Sequence, residues 1–466
     1  MANIISPRIL KGFRDFLPEA ELERRRILGV LESTFCRYGY VPIDTPVLEY
    51  TEVLLGKAGG DTEKQIYRFT DHGGRDVAMR FDLTVPFARY IAGNRGDLYL
   101  PFKRYHIGKV YRGENTQRGR YREFAQCDFD TVGVDTPAAD FDILLTIAAS
   151  FRALGIDDIT IRVSHRGLFN GLLARLGVRD KSVEVLRAVD KLGKVGEEKT
   201  RVLLAELVGE NAAGTVLAFI RREKTHKATL EKMIDMAAGE ETREAADRMR
   251  SILSWSEKTA LGSVLAVDPS ITRGLDYYTG VVFETVLNEL PEIGSVCGGG
   301  RYNDLASLYT KEHLPGVGGS IGVDRLIAAL SELGRLREHP KTVDVLVFNL
   351  DGALMGEYFV LAERLRNQGF RVDVYPEQKK LGAQFSFAER KGIPAGVFVG
   401  PEEVEAGTLT VKNLVSRKNH EGLTQEQALA VIKEIVAEGG AEPTAAPATG
   451  TEATAGEAAS KKKDNS

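Results

Sequence analysis

KRYHIGKVYRGENTQRGRYR, residues Lys103–Arg122, holds seven Lys or Arg and one acid, a local charge of +6 in a chain whose total is −4. Tyr105, Ile107, Val110 and Tyr111, then Tyr121 and Phe124, are β-formers on either side of the polar loop Asn115–Gly119. Their placement predicts two antiparallel strands. Side chains alternate along a strand, so Arg120 and Arg122 share a face opposite Tyr121. Guanidinium groups grip phosphate or carboxylate bidentately, and beside an aromatic they suit a nucleotide's base and phosphates together. A solvated basic hairpin is the plainer reading of the same composition.

Four further segments are of the same kind. In Arg80–Thr84 (RFDLT), Asp82 and Thr84 at a strand end would offer acceptors to an α-ammonium group, unless Asp82 simply forms a turn. Arg273–Gly280 (RGLDYYTG) sets a cation and two tyrosines ahead of the β-run Val281–Val286. The triple glycine of Cys297–Tyr302 (CGGGRY) permits close backbone approach. Gly316–Leu326 (GVGGSIGVDRL) puts glycines at a strand–helix junction before Arg325, a place where phosphates bind. Taken singly, each of the last three also reads as a turn or packing device. Five such segments in one β-rich region point to a shared site.

Around them the chain divides unevenly. Its 466 residues allow two to four domains, and 43% apolar with 27% charged residues is the mixture of a soluble globular protein. The net charge excludes nucleic-acid binding by bulk polycation and leaves only local basic patches. Cys36, Cys127 and Cys297 are too few and too scattered for a disulfide framework or a cysteine zinc site, and suit a reducing compartment. The seven histidines show no pair at metal-ligand spacing. No apolar run is long enough to span a bilayer, no secretory signal is visible, and a cytoplasmic location is expected.

Residues 1–170 and 259–335 are β-rich. Between them, 171–258 reads as a helical insertion, with Val185, Leu186, Val189 and Leu192 at helical spacing and the basic run Arg221–Lys227 (RREKTHK). After the polar linker Arg335–Lys341, residues 342–440 alternate strands (Val343–Leu350, Arg371–Tyr375, Ala395–Val399, Thr408–Leu414) with helices, the last opened by a Thr424/Gln427 capping box. Residues 441–466 lack any aromatic or large aliphatic residue and are expected to be disordered.

The motifs carry a resemblance over about residues 8–437. Tyr38–Glu49 (YGYVPIDTPVLE), Tyr111–Asp130 (YRGENTQRGRYREFAQCDFD) and Gly318–Leu326 are similar to motifs 1, 2 and 3 of the class II aminoacyl-tRNA synthetases. Lys11–Pro18 (KGFRDFLP), Arg80–Tyr90, RGLDYYTG and CGGGRY resemble the histidyl-tRNA synthetase family in particular, and Leu381–Lys412 its anticodon-binding domain.

The resemblance implies an antiparallel sheet flanked by helices, a helical insertion, and a C-terminal α/β anticodon-binding domain. It implies activation of histidine by ATP, assisted by Mg²⁺ riding on the phosphates and no organic cofactor, then transfer to tRNA(His). Arg112 and Arg273 would stabilise the α-phosphate. Glu114, Arg120, Phe124 and Arg325 would complete the ATP site. Asp82, Thr84 and Gln126 would receive the histidine ammonium, Asp130 and Tyr278 its imidazole, with Tyr277 and Tyr302 in the wall. Gln117 and Arg118 would face the tRNA acceptor end, and about residues 22–50 would form a homodimer interface. Asp82 and Asp130 stand where many bacterial members have Glu, one methylene longer, as in the eukaryote-like branch. The resemblance leaves as rivals a histidine-sensing regulatory subunit without ligase activity, an RNA-binding sensor with a dead active site, and a synthetase for another amino acid.

Overall fold

Alternation along the strand after the basic loop decides how the first unit is built. Ala125, Cys127 and Phe129 are buried in the main hydrophobic core, whereas Phe124, Gln126, Asp128 and Asp130 face a cavity. A strand with one apolar and one polar buried face needs a core on one side and a site on the other. In the computed structural model, residues 4–56, 60–237, 239–271, 277–337 and 342–438 are described. The chain forms two units that divide after Leu336. Residues 441–466 lie outside the described residues.

Along the first unit run β1 (Val41–Pro42), β2 (Leu48–Tyr50), β3 (Arg68–Thr70), β4 (Asp76–Met79), β5 (Phe102–Tyr111), β6 (Glu123–Val132), β7 (Ile159–His165), β8 (Leu265–Val267), β9 (Val281–Leu287), β10 (Cys297–Arg301) and β11 (Gly316–Gly322). β2, β4 and β3 make a small antiparallel sheet. The other eight strands form the main sheet in the order β1-β5-β6-β11-β10-β9-β7-β8. It is antiparallel except for the parallel pairs at its two edges, β1–β5 and β7–β8. The helix Pro18–Arg37 packs Ile27, Leu31 and Phe35 onto the sheet, with Phe35 stacked on Phe129 at 4.9 Å. Between β7 and β8 every described element is helical, from Arg166–Arg175 to Arg243–Ser256.

The expected antiparallel pair is present, paired from Phe102↔Val132 to Tyr111↔Glu123. Strand alternation does not, however, extend to Arg120–Arg122. The chain turns between Gln117 and Arg120, whose backbones exchange hydrogen bonds, and Arg122 N–H donates to the Gly12 carbonyl at 2.8 Å. Nor is RFDLT a strand end. β4 stops at Met79, and the helix Thr84–Gly93 begins where Asp82 Oδ1 accepts from Thr84 N–H (3.1 Å) and Val85 N–H (2.9 Å). CGGGR is itself a strand. A Cβ at Gly299 would collide with the Gly318 carbonyl of neighbouring β11, so only glycine lets these backbones approach so closely.

The second unit has a five-stranded sheet of β12 (Val345–Val347), β13 (Val372–Val374), β14 (Ala395–Phe398), β15 (Leu409–Asn413) and β16 (Asn419–Leu423), in the order β13-β12-β14-β15-β16. β12 pairs in parallel on both sides, and the last two pairings are antiparallel. Val345 and Val347 enter one core while Leu346 and the adjoining Phe348 enter another, which is why this run reads as continuously apolar. The Thr424/Gln427 capping box opens the helix Gln425–Glu438 as expected, with Thr424 N–H donating to Gln427 Oε1 at 2.9 Å.

Candidate active site

The polar face of β6, the start of the helix Thr84–Gly93, Tyr277 and Tyr278, β10 and β11 enclose a cavity of about 300 Å³. Of the residues singled out in the sequence, Asp82, Thr84, Gln126, Asp130, Tyr277, Tyr278 and Tyr302 line it, and so do Arg112, Glu114, Arg120, Phe124 and Arg325. They come from segments more than two hundred residues apart. Gln117 and Arg118, expected at the tRNA acceptor end, lie outside that lining: Gln117 is held in the tight turn with Arg120, and Arg118 pairs with Glu332 on the helix Val323–Glu332. Arg273 lies outside the described residues. In the basic run Arg221 pairs with Glu197 at 2.7 Å, and Arg222 approaches Asp268 at 3.9 Å.

One end of the cavity is arginine-rich. The Arg112 guanidinium lies 4.4 Å from the Phe81 ring centroid and 5.1 Å from that of Phe124, and its Nε donates to the Phe81 carbonyl at 3.1 Å. Burial pulls its pKa below the ordinary arginine value, against the pull of Asp82 and Glu114. Arg325 is aimed by a 2.6 Å hydrogen bond to the Ser295 carbonyl, and Arg120 stands 3.8 Å from Glu114. Cations beside an aromatic face at one end of a deep cavity fit a purine triphosphate.

The other end is carboxylate-rich. Asp130 ion-pairs with the wholly buried Arg104 at 2.7 Å, and Tyr302 Oη donates to its Oδ1 at 2.5 Å. Gly318 lies opposite Asp130 in the register, and a side chain there would occupy the carboxylate's place. Gln126 Nε2 donates to Ser320 Oγ at 2.9 Å, and Tyr277 hydrogen-bonds to Thr84 while meeting the Tyr278 ring edge-on at 4.9 Å. Burial raises the pKa of both Asp82 and Asp130 despite their partners. An occupant bearing N–H donors and positive charge would answer this excess of acceptors.

Sequence reasoning missed several supports. Arg104 counted only toward the basic charge, and Asp128 was passed over although the 126/128/130 alternation places it between two chosen residues. Arg14, in KGFRDFLP, pairs with Asp324, stacks on Tyr121 at 3.7 Å and so braces the loop against the helix that carries Arg325. Asp324 also accepts from Ala125 N–H at 2.6 Å. Arg301 of CGGGRY points away from the cavity. It meets the buried Asp140 at 2.7 Å, and Asp140 also takes Arg248 of the helix Arg243–Ser256 at 2.7 Å. Among the described residues no group of three or more His, Cys, Asp or Glu is placed to hold a metal ion.

A sequence model described as histidyl-tRNA synthetase matches residues 12–326, and one described as an anticodon binding domain matches residues 344–435. The chain belongs to the histidyl-tRNA synthetase family. It is 49% identical to the histidine–tRNA ligase of Treponema denticola over 405 residues, 86% of this chain and 90% of that one. It is 47% identical to that of Rhodopirellula baltica over 422 residues, 90% and 96% of the two chains. Among solved structures, the histidyl-tRNA synthetase of Nostoc sp. PCC 7120 is similar with a TM-score of 0.81 at 30% identity, covering 92% of this chain and 100% of that one. The likeness thus spans both the synthetase region and the anticodon-binding region, which disfavours a regulatory subunit. No helix among the described residues is long and apolar enough to cross a membrane.

Proposed function

We infer that the chain is a histidine–tRNA ligase that condenses histidine with ATP to histidyl-adenylate, releasing pyrophosphate, and then passes the histidyl group to the 3′ end of tRNA(His). The observation that carries this reading is the joining, in one cavity, of an arginine–aromatic end to a carboxylate-rich end. The carboxylate of the amino acid must attack the α-phosphorus where the two ends meet, and Arg112 lies there, between Asp82 and Phe124. A fixed guanidinium at that point neutralises charge that grows on the phosphoryl oxygens and holds the two reactants in line. Arg273 would act on the same phosphate from the opposite side. Phe124 and Arg325 would sandwich adenine, Glu114 would accept from its amino group, and Arg120 would reach the outer phosphates. Asp82, Thr84 and Gln126 would take the ammonium, and Asp130, Tyr277, Tyr278 and Tyr302 would shape the imidazole pocket.

Mg²⁺ would ride on the triphosphate and supply charge neutralisation there, largely water-ligated. Residues 1–170 with 259–335 serve as the catalytic domain, 171–258 as the insertion over the acceptor stem, with 342–440 reading the anticodon. Gln117 and Arg118 face the acceptor end, and the segment 22–50 joins two copies into a cytoplasmic homodimer. Histidine-dependent exchange of labelled pyrophosphate into ATP tests the first step. Exchange driven by a different amino acid, or by none, overturns the reading.

A further inference from the structure

The helical stretch between β7 and β8 is tied to the back of the cavity wall at both of its ends. At its start, Arg166 N–H donates to the Gly280 carbonyl at 2.9 Å, two residues after Tyr278. Near its end, Arg248 of the helix Arg243–Ser256 donates from Nη1 to Asp140 Oδ2 at 2.7 Å and from Nη2 to Asp135 Oδ1 at 2.8 Å. Asp140 is wholly buried in the first turn of the helix Pro137–Ala153, and its Oδ1 accepts from Arg301 Nε at 2.8 Å. Arg301 belongs to the wall itself. Its carbonyl accepts from Thr279 N–H at 2.7 Å, and Asn303 N–H donates to Thr279 Oγ1 at 3.1 Å while Asn303 Nδ2 reaches Asp135 Oδ2 at 2.6 Å. A Cβ on Gly280 would stand only 3.1 Å from the Arg301 side chain, so the two segments are pressed together.

Thr279 follows Tyr278 and Arg301 precedes Tyr302, and both tyrosines line the cavity. The latch that joins these two segments therefore shares its carboxylates with a residue of the helical stretch. A buried ionic cluster adds little stability over apolar packing of the same volume, because desolvation cancels most of the attraction. What two guanidinium forks on one carboxylate do supply is fixed geometry. Burial, and then the charges of Arg248 and Arg301, push His165 down to about 3, so its neutral Nδ1 accepts from Gly167 N–H at 3.0 Å and opens the first helix of the stretch. We propose that Arg248 is a positioning residue that couples the helical stretch to the cavity wall: through Asp140, Asp135 and Arg301 it fixes the segments that carry Tyr278 and Tyr302, and an occupant of the cavity is felt in the helix Arg243–Ser256. This rests on the histidine reading only for the choice of substrate.

Two readouts separate this role from a merely structural pairing. In pyrophosphate exchange, Arg248→Met is expected to raise the KM for histidine about fivefold or more and to leave the KM for ATP within about twofold. Arg248→Lys keeps the charge without the fork and should recover part of the loss. The second readout is amide hydrogen exchange along Arg243–Ser256, with saturating histidine and α,β-methylene-ATP, which cannot release pyrophosphate. These ligands should slow it at least about threefold in the unaltered protein and leave it unchanged in Arg248→Met. Asp135→Asn, a milder change at the edge of the cluster, should move both readouts the same way by less, and it carries the test if Arg248→Met does not fold. Equal rises in both KM values, no rise in either, a lowered melting temperature alone, or ligand-induced slowing that survives in Arg248→Met overturns the proposal. If the unaltered protein shows no histidine-driven exchange, the functional reading fails and the proposal with it. If it activates histidine and the variants behave as it does, only the coupling fails.

Discussion

β6 of the first unit and β12 of the second are both buried on both faces, yet only one of them is apolar throughout. β12 sends Val345 and Val347 one way and Leu346 the other, into two hydrophobic cores. β6 sends Ala125, Cys127 and Phe129 into a core but Gln126, Asp128 and Asp130 into a cavity. Burying carboxylates works against folding unless each finds a partner, so a strand that carries two of them on one face is shaped for something other than stability. The contrast separates the part of the molecule that holds itself together from the part held ready for an occupant.

The largest expected effect breaks the site while leaving both strands in place. Arg112→Ala removes the guanidinium between the two ends of the cavity, and adenylate formation should fall roughly 10²–10³-fold in single-turnover measurements. Circular dichroism and the melting curve should stay close to those of the unaltered protein, because burial already works against that charge. A rate within threefold of the original would deprive Arg112 of its assigned role.

The converse change targets β12's sheet. Phe348 is wholly buried, stacked on Phe398 at 4.2 Å and tilted against Phe385 at 4.9 Å. Phe348→Ala should destabilise the second unit by about 3–5 kcal/mol through the cavity it leaves. Pyrophosphate exchange without tRNA should persist, since the described residues that line the cavity all belong to the first unit. Exchange that fails together with the second unit's melting would show that the two regions are not separable in this way.

The same contrast explains what could be seen in advance. Period-two patterning made β5 and β6 legible, and the apolar run made β12 legible, because burial writes itself into side-chain type. Motif residues located most of the cavity. The misreadings arose where the backbone departs from regular pairing. RFDLT has the composition of a strand end, but Asp82 spends its Oδ1 on two helix-start N–H groups. Arg120–Arg122 looked like strand because nothing local reveals that Gly12, more than a hundred residues away, takes the Arg122 N–H. β16 (Asn419–Leu423) was missed because it is polar and mostly exposed at a sheet edge, with no apolar face to signal it. Asp140 before the helical stretch, Arg248 within it and Arg301 beyond it meet in a three-body arrangement that no spacing rule finds.

The smallest effect is the most direct measure of what β6 gives up. Burial pushes the Asp128 carboxyl up to about 7, while in the unfolded chain it titrates near the ordinary value of about 4. Between those values the folded protein keeps a proton that the unfolded chain has released, so this group's contribution to stability declines as pH rises from about 4 to about 7 and is then constant. Asp128→Asn cannot ionise and escapes the decline. Without ligands, the variant and the unaltered protein should melt together near pH 4 and separate as pH rises, the variant melting a few °C higher at pH 8. Asp82 and Asp130, also raised by burial, remain in both proteins, and their charges add to the rise at Asp128. A variant that melts lower than the original at pH 8 without ligand would mean that Asp128 is held as an anion by the protein alone, and the polar face of β6 would then be self-sufficient, as β12 is.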